Sequence, residues 1–405
     1  MSLQQQQELE SQYVMPTFGR KHVELVKGSG MHVFDDEGNP YLDFISGIGV
    51  VSLGHCHPLL VEALKEQTEK LMHVGNYYYI ENRGEVSAMI SGLLATGSQE
   101  ADGNQAWQSF YANSGAEANE CAIKLARLAA KKRGSSADII VTLNKSFHGR
   151  TLATLAATAQ PAKQEVFQPL PGGFVHTPIN DIEALEALFE QLGDSVCAMM
   201  IECVQGESGV HPCTPEFIEA AEKLTHEKEA LLICDEIQTG IYRCGEQPFA
   251  YQGYGISPDI VTIAKGVASG FPVGICAAKN EFAQVYQPGD HGSTFGGGPL
   301  AITAIKTTLE TLESLNVGAQ VEELGVYFRE CLASLPFVTE VRGRGLMCAC
   351  DVNEEYSAPE LVDVALEKGM LINATGPHTL RFLPPLICTK LDIDELILRL
   401  SSLLD

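Results

Sequence analysis

Continuous apolar runs, without the alternation of polar and apolar positions that marks a half-exposed strand, recur through the middle of the chain. Runs of this kind are typical of strands that are buried on both faces of a mostly parallel sheet. They occupy residues 138–143, 196–202, 230–235, 260–264 and 273–278.

Segments with helical periodicity lie between and around these runs. One of them starts at Thr214 followed by Pro215, which indicates an N-cap residue and a proline at the first helical position. Strands that alternate with helices indicate an α/β domain with a mostly parallel sheet flanked by helices. The predicted helices cover residues 58–71, 83–96, 115–133, 181–192, 214–229 and 299–315.

The strand and turn patterns near the two ends of the chain predict a smaller α+β domain. After an opening segment that is unstructured or loosely helical, residues 32–44 read as a hairpin around the turn sequence DEGNP. Short strands are predicted within 338–352, 370–373 and 379–382. We therefore expect residues 1–50 to contribute to the small domain, 51–310 to form the large domain, and 311–405 to form the C-terminal small domain.

Charge and cysteine content narrow the class of protein. The 405 residues include 27 basic and 52 acidic side chains, a formal net charge of −25, which disfavours nucleic acid and anionic membrane as partners. No apolar run approaches the ~18 residues of a membrane helix, and no signal peptide opens the chain. The 12 cysteines lack metal-ligand spacing, so we expect buried thiols in a reducing cytoplasm and no metal site. Alternation would point Cys348 and Cys350 to one face of a strand.

Asp235 and Lys265 are the first candidates for chemistry. Each follows an apolar run, ALLIC before Asp235 and IVTIA before Lys265, and the carboxyl ends of parallel strands form the ligand crevice of an open α/β sheet. Taken alone, an aspartate at such a position is more often a capping carboxylate, and a lysine is more often a solvated surface residue. Together they match the lysine and acidic partner that proteins supply to pyridoxal phosphate.

Three further motifs suit an anionic, aromatic ligand. NSGAEANE (113–120) is a small-residue turn that opens a helix, so the amides of residues 114–116 can face a phosphate, although an ordinary N-cap has the same pattern. In SFHGRT, Phe147 can stack on a ring and Arg150 can bind a carboxylate, whereas His148 alone is more often a packed histidine. HGSTFGGGP (291–299) predicts a loop that approaches a ligand closely.

These motifs, with several others in the same order, resemble the class III aminotransferases of fold type I, most closely their acetylornithine branch. The resemblance runs nearly end to end. It rests on YVMPTFGR (13–20), SLGHCHP (52–58), HVGNYYYIE (73–81), NSGAEANE, FHGRT (147–151), QGESG (205–209), CDEIQTG (234–240), AKG (264–266), HGSTFGGGP and LRFLPPL (380–386).

The resemblance implies a pyridoxal 5'-phosphate cofactor and a role for each matching residue. Lys265 is implied to be the Schiff-base lysine and proton shuttle, and Asp235 the partner of the pyridinium nitrogen. A threonine at the position of Thr294 reaches the phosphate of the neighbouring subunit, which implies a homodimer with shared sites. The remaining cofactor contacts implied are Ile237 and Phe147 on the ring, Gln238 at its phenolic oxygen, and Ser114, Gly115 and Ala116 around the phosphate.

The resemblance also implies how substrates are held. Arg150 and Arg381 are implied to bind substrate carboxylates, and Glu207 to pair with Arg381 when an ω-amino substrate is bound. The expected reaction transfers the δ-amine of N2-acetylornithine to 2-oxoglutarate through two half-reactions, giving N-acetylglutamate 5-semialdehyde and glutamate in arginine biosynthesis. The pattern HVGNYYYIE favours this branch.

Departures from the family pattern and the alternatives bear on the substrate. The chain has Gly298 where asparagine is common, Cys203 where proline is common, Val51 and Gly75 in place of polar residues, and VASGF (267–271) in place of a glycine-richer stretch. Another ω-aminotransferase, acting on ornithine, N-succinylornithine, N-succinyl-diaminopimelate or 4-aminobutyrate, is the nearest alternative. A nicotinamide-dependent oxidoreductase is disfavoured because no G-x-G-x-x-G follows an early strand. A non-catalytic homologue is disfavoured because the lysine, aspartate and arginines are all present.

Overall fold

A mixed seven-stranded sheet forms the centre of the protein, which a computed structural model describes over residues 2–96 and 106–403. The central strands of this sheet are fully buried. From one edge of the sheet to the other, the strands are Trp107–Ala112, Gly274–Lys279, Ile260–Ala264, Leu231–Asp235, Val196–Ile201, Ile139–Leu143 and Phe174–Thr177.

The directions of the strands place the two main candidate residues, Asp235 and Lys265, at one edge of the sheet. Gly274–Lys279 is antiparallel to both of its neighbours, and the other pairs in the sheet are parallel. Asp235 pairs with Thr262 on the next strand, so Asp235 and the strand end that precedes Lys265 lie at the same edge. The predicted α/β architecture is confirmed.

Helices cover the sheet on its two faces. The long helix Gly115–Lys132 buries alanine, cysteine, isoleucine and leucine side chains against the sheet. The α-helices are Leu3–Tyr13, Ser46–Gly49, Pro58–Lys70, Arg83–Ala95, Gly115–Lys132, Leu152–Ala157, Pro161–Gln164, Ile182–Leu192, Pro215–Glu227, Asn280–Ala283, Pro299–Ser314, Val317–Ala333, Ala358–Glu367 and Lys390–Ser401, and short 3-10 turns span Glu165–Phe167, Gly193–Ser195, Ala250–Tyr254 and Lys265–Ala268.

Three smaller sheets complete the described fold. The predicted hairpin is present, and its strand Pro40–Asp43 pairs in parallel with Met370–Leu371, which joins the two ends of the chain. The domain limits at residues 50 and 310 remain predictions. The smaller sheets are Leu25–Ser29, His32–Asp35, Pro40–Asp43 and Met370–Leu371; Val338–Arg344, Met347–Val352, Thr379–Phe382 and Asn373–Ala374; and the ladder Val204–Gln205 with His211–Pro212.

Two strands of the large sheet and the first helix are among the elements that the sequence did not clearly predict. Trp107–Ala112 and Phe174–Thr177 are the edge strands of the large sheet, so they are only partly buried and carry no continuous apolar run. The opening segment is a regular helix, Leu3–Tyr13, with a capping box between Ser2 and Gln5.

Ten of the 12 cysteines are buried, as predicted, whereas Cys56 is exposed and Cys331 is partly buried. All 12 are unpaired, and both Cys348 and Cys350 are buried in the strand Met347–Val352. Within the described ranges, no helix combines the length and apolarity that a bilayer-spanning segment needs.

Candidate active site

A cavity of about 440 Å³ opens at the carboxyl edge of the large sheet. Neighbouring parallel strands end there, so the residues that follow them converge although they are far apart in the sequence. Every predicted cofactor residue except Thr294 lines this cavity, as does Arg150.

Asp235 is the most firmly held side chain in the cavity wall. Its Oδ2 atom accepts hydrogen bonds from Asn119 Nδ2 at 2.8 Å and lies 2.7 Å from His148 Nδ1, while Oδ1 accepts from the Ile237 amide at 3.1 Å. Although burial disfavours a charged imidazole, the hydrogen bond and negative charge of Asp235 raise the pKa of His148. The three hydrogen bonds fix the orientation of the Asp235 carboxylate in the cavity wall.

Glu202 is a second buried carboxyl group beside this pair. Burial raises the pKa of Glu202 to about 7, against the opposing positive charge of His148. Its Oε2 atom accepts a hydrogen bond from the Phe147 amide at 2.9 Å, which fixes the backbone below the Phe147 ring. The Nε2 atom of His148 is buried and has no hydrogen-bond partner among the described residues.

Lys265 follows its strand directly with a left-handed backbone, φ 46°, which turns its side chain into the cavity wall. Burial, and then the positive charge of Arg381, lower the pKa of Lys265, with Glu207 and Asp235 partly opposing the effect. A lowered pKa favours the neutral amine, which is the form that acts as a nucleophile or a base.

The turn at the start of helix Gly115–Lys132 is packed too tightly for larger residues. Ser114 is the N-cap, and its hydroxyl accepts a hydrogen bond from the Glu117 amide at 3.2 Å. A Cβ atom on Gly115 would lie 2.7 Å from Ile237 Cδ1, and one on Gly274 would lie 1.9 Å from the Ser114 carbonyl oxygen. Ser114 therefore has the N-cap role and also lines the cavity.

Glu207 and Arg381 form a nearly buried ion pair beside Gln238. Arg381 Nη1 lies 2.6 Å from Glu207 Oε1, which also accepts a hydrogen bond from Gln238 Nε2 at 3.1 Å. Although burial opposes ionisation of Glu207, Arg381 lowers the pKa of this carboxyl group to about 2. Asn373, which pairs with Arg381 across the sheet, accepts from Arg381 Nη2 at 2.9 Å. Because the arginine is almost fully buried, Glu207 supplies the negative charge that an isolated guanidinium would lack.

Two cations approach the ring of Phe147. The guanidinium of exposed Arg150 lies 5.6 Å from the ring centroid, and Lys163 Nζ lies 5.8 Å from it. Burial and the charge of Arg150 lower the pKa of Lys163. Arg150, which lines the cavity, gives this part of the wall a positive charge that suits an anionic group.

The loop with Thr294 lies apart from the main cavity. Thr294 is exposed and lines a second depression of about 280 Å³ together with Asn113. A Cβ atom on Gly297 would lie 2.8 Å from Cβ of Tyr111, so this glycine serves close packing within the chain. Phe295 is also exposed, at 65%.

Asn119 and Glu202 contribute to the site, but the sequence did not single them out. Asn119 lies one turn along the helix from Gly115, on the face toward the sheet, where it reaches Asp235. Glu202 directly follows the strand Val196–Ile201. Its position after a buried apolar run, like that of Asp235, was the available signal. His148, which looked like a packed histidine, is packed and also hydrogen-bonded to Asp235.

Among the departures from the family pattern, the segment 267–271 reaches the main cavity, which Gly270 and Phe271 line. Val51, Gly75, Cys203 and Gly298 do not line it. Gly298 is the N-cap residue of the helix Pro299–Ser314, and Cys203 is buried next to Glu202.

Comparison with known proteins gives the same family as the site. A model of the family "Aminotransferase class-III" matches residues 15–404. The acetylornithine aminotransferase of Caldanaerobacter subterraneus subsp. tengcongensis is 48% identical over 400 residues, covering 98% of each chain.

Two solved structures extend the likeness to the fold. The acetylornithine aminotransferase of Elizabethkingia anophelis superposes with a TM-score of 0.86 at 30% identity, covering 100% of this chain and 99% of the other. An ornithine aminotransferase of Toxoplasma gondii, reported with partial occupancy of pyridoxal phosphate at its active site, gives 0.90 at 30% identity, covering 99% and 94%.

The chain belongs to the class III aminotransferases and is a pyridoxal-phosphate-dependent enzyme. The cavity suits that cofactor on its own chemistry. A half-buried lysine, an aspartate held by His148 and a helix N-terminus at Ser114 line one volume. These groups match an aldehyde, a pyridine nitrogen and a phosphate, respectively.

Proposed function

We propose that the enzyme transfers the δ-amine of N2-acetylornithine to 2-oxoglutarate, producing N-acetylglutamate 5-semialdehyde and glutamate for arginine biosynthesis. The observation that carries this proposal is the Glu207–Arg381 ion pair, 2.6 Å apart. Both residues are hydrogen-bonded to Gln238, which lines the lysine cavity, although neither of them lines it. The related enzyme at 48% identity bears the same activity in its name.

The cavity residues would hold the cofactor as follows. Asp235 would pair with the pyridine nitrogen, Ile237 and Phe147 would enclose the ring, and Gln238 would bind its phenolic oxygen. The amides of residues 114–116 would bind the phosphate. When bound, the cofactor supplies an electron sink for the carbon that loses a proton. The hydrogen bonds from His148 and Asn119 keep Asp235 oriented for this role.

Lys265 would hold the cofactor covalently until the substrate amine takes its place, and the freed lysine amine would then act as the base. Its lowered pKa favours the neutral amine, so Nζ can take the proton from the carbon that bears the δ-amine and deliver it again within the same cavity. The enclosure of this lysine also limits access of water to the proton in transit.

Arg381 and Glu207 would let one cavity accept two kinds of substrate. With the acylated diamine bound, Glu207 neutralises Arg381, so an uncharged methylene chain can lie beside it. With 2-oxoglutarate bound, Glu207 moves aside and Arg381 binds the carboxylate next to the reacting carbon bidentately. Arg150, exposed beside Phe147, would bind the carboxylate far from the reacting carbon, which is the α-carboxylate of N-acetylornithine and the γ-carboxylate of 2-oxoglutarate.

A homodimer with shared sites would account for the exposed side chains around Thr294. Tyr77 and Tyr79 are fully exposed, and Phe295 is 65% exposed, an apolar surface of the kind that marks an interface. Thr294 would then reach the phosphate site of the partner. The 12 free thiols suit a reducing cytoplasm.

Subunit complementation tests the shared site. A heterodimer of Lys265→Ala and Thr294→Val chains has one site with both changes and one with neither, so the mixture should exceed the summed activity of the two variants. A mixture that merely equals their sum would contradict site sharing.

Amino-donor specificity tests the proposed reaction itself. With 2-oxoglutarate as acceptor, kcat/KM should be highest for N-acetylornithine and lower for ornithine, N-succinylornithine, N-succinyl-diaminopimelate and 4-aminobutyrate. A higher value for any of these other donors would assign the enzyme to that substrate and overturn the proposed one.

A further inference from the structure

The hairpin that bears Glu207 is held at two backbone carbonyls by two arginines. Its strands are Val204–Gln205 and His211–Pro212, and Glu207 lies in the turn between them. The Gly206 carbonyl accepts a hydrogen bond from Arg381 Nη1 at 3.0 Å, and the Gly209 carbonyl accepts one from Arg342 Nε at 2.7 Å. The turn is therefore fixed on both sides of Glu207.

The two arginines stand on the same face of one sheet. Arg342 pairs with Ala349, and Ala349 pairs with Arg381, in a row across three antiparallel strands. Directly opposed residues share a face, so both guanidinium groups project toward the hairpin. The small side chain of Ala349 between them leaves room for the turn to approach.

Arg342 is itself held by Asp351 on the strand Met347–Val352, which pairs with the strand that carries Arg381. Its Nη1 and Nη2 atoms each lie 2.8 Å from an oxygen of Asp351, a bidentate arrangement that fixes the guanidinium plane. Asp351 Oδ1 accepts a further hydrogen bond from Thr379 Oγ1 at 2.6 Å. Thr379 and Arg381 lie two residues apart on the strand Thr379–Phe382, so the two anchors of the turn share one rigid base.

The turn needs an external anchor because its own backbone is strained. Val210 is fully buried and adopts φ 57°, a left-handed conformation that a β-branched residue strongly disfavours. Gly209 adopts φ 117°, and a Cβ atom there would lie 3.0 Å from Arg342 Nη2. A conformation of this kind persists only when surrounding contacts impose it.

We propose that Arg342 is a positioning residue for Glu207: together with Asp351 it fixes the Gly209 end of the turn, so that Glu207 stays pre-organised against Arg381. This inference rests on the proposed pairing and release of Glu207 during the two half-reactions. Pre-organisation strengthens a contact by reducing the ordering it requires. A loosened anchor therefore weakens the Glu207–Arg381 pair and leaves Arg381 more available to a dicarboxylate.

Glutarate, which has the two carboxylates of 2-oxoglutarate but no keto group, is the probe for this competition. Calorimetry on the holoenzyme should show glutarate binding about three- to tenfold tighter to Arg342→Lys, since lysine keeps the charge but loses the fork. The KM for N-acetylornithine should rise and that for 2-oxoglutarate should fall. Asp351→Asn should shift the same quantities in the same direction.

A double mutant separates positioning from a general structural role. In a Glu207→Ala background, Arg342→Lys should change glutarate affinity by less than about twofold, because the side chain it positions is gone. Glu340→Gln is the matched control: Glu340 is exposed and 3.5 Å from Arg342 Nη1, yet it does not contact the turn. This variant should match the wild type.

Two results would overturn the role of Arg342: unchanged glutarate affinity in both Arg342→Lys and Asp351→Asn, or an effect that persists without Glu207. A wild-type enzyme that takes no amine from N-acetylornithine would instead overturn the proposed substrate. The affinity for glutarate would still decide whether Arg342 positions Glu207.

Discussion

The Nδ1 atom of His148 lies 2.7 Å from Oδ2 of Asp235, and both side chains are buried at the floor of the cavity. This hydrogen bond keeps the carboxylate oriented where the cofactor nitrogen would lie. The negative charge at this point is what stabilises a protonated pyridine ring. His148 thus supports the chemistry without facing the substrate.

Replacing His148 by glutamine should lower kcat by about 10- to 100-fold, since hydrogen bonds to charged groups contribute about 1.5–3 kcal/mol. Steady-state kinetics measure the loss. His226→Gln is the control, because His226 also faces a carboxylate, Asp259 at 3.5 Å, away from the cavity. Equal losses in the two variants would contradict a specific role for His148.

Replacing Lys265 by alanine should reduce turnover by at least roughly a hundredfold, in line with the loss of a positioned general base. The fold should survive because Lys265 lies at a strand end and alanine removes an amine whose charged form is disfavoured there. Circular dichroism can verify this. Lys65→Ala, on an exposed helix surface, should leave turnover unchanged. Near-native turnover in Lys265→Ala would refute the assignment.

Glu207 should make the protein sensitive to acid. Arg381 lowers its pKa from 4.5 to about 2, so the stabilisation is present above pH 4.5 and is lost as the pH falls toward 2. At about 1.4 kcal/mol per pH unit, the wild type should lose roughly 3 kcal/mol more than Glu207→Gln over that interval. Denaturant unfolding at several pH values measures the difference.

Glu323→Gln provides the control for that experiment. Glu323 pairs with Lys390 on the surface, where both side chains are more than half exposed. Exposed pairs of this kind contribute little to stability, so this variant should keep the acid sensitivity of the wild type. If Glu207→Gln also kept it, the ion pair with Arg381 would not be the cause.

Gly115 and Gly92 form a matched pair of helix glycines. A Cβ atom on Gly115 would lie 2.7 Å from Ile237 Cδ1, whereas Gly92 has open space around it. Gly115→Ala should weaken cofactor binding by about tenfold, since overpacking of this degree costs about 1–3 kcal/mol. Gly92→Ala should raise stability by up to about 1 kcal/mol and leave cofactor affinity unchanged. Equilibrium titration of the apoenzyme gives both affinities.

Burial determined which strands the sequence could predict. The five runs with continuous apolar character are the five interior strands of the large sheet. The edge strands that end at Ala112 and Thr177 carry polar residues, so this pattern did not predict them. The opening helix Leu3–Tyr13 has no buried residue and thus no amphipathic pattern to read.

The same limit applies to the site. Asp235 and Lys265 were predictable because a charged residue at the end of an apolar run is conspicuous in the sequence. Asn119 and Arg342 were not, since their importance arises from contacts with segments more than 100 residues away. Such partners depend on how helices and strands pack, which spacing along the chain does not encode.

Reductive trapping tests the central claim, that Lys265 holds the cofactor, most directly. The holoenzyme is treated with borohydride, digested, and mapped by mass spectrometry, with Lys265→Ala treated in parallel. We expect a pyridoxyl group on the peptide that contains Lys265 and no modified peptide in the variant. A modified Lys163, or an unmodified wild-type protein, would contradict the account.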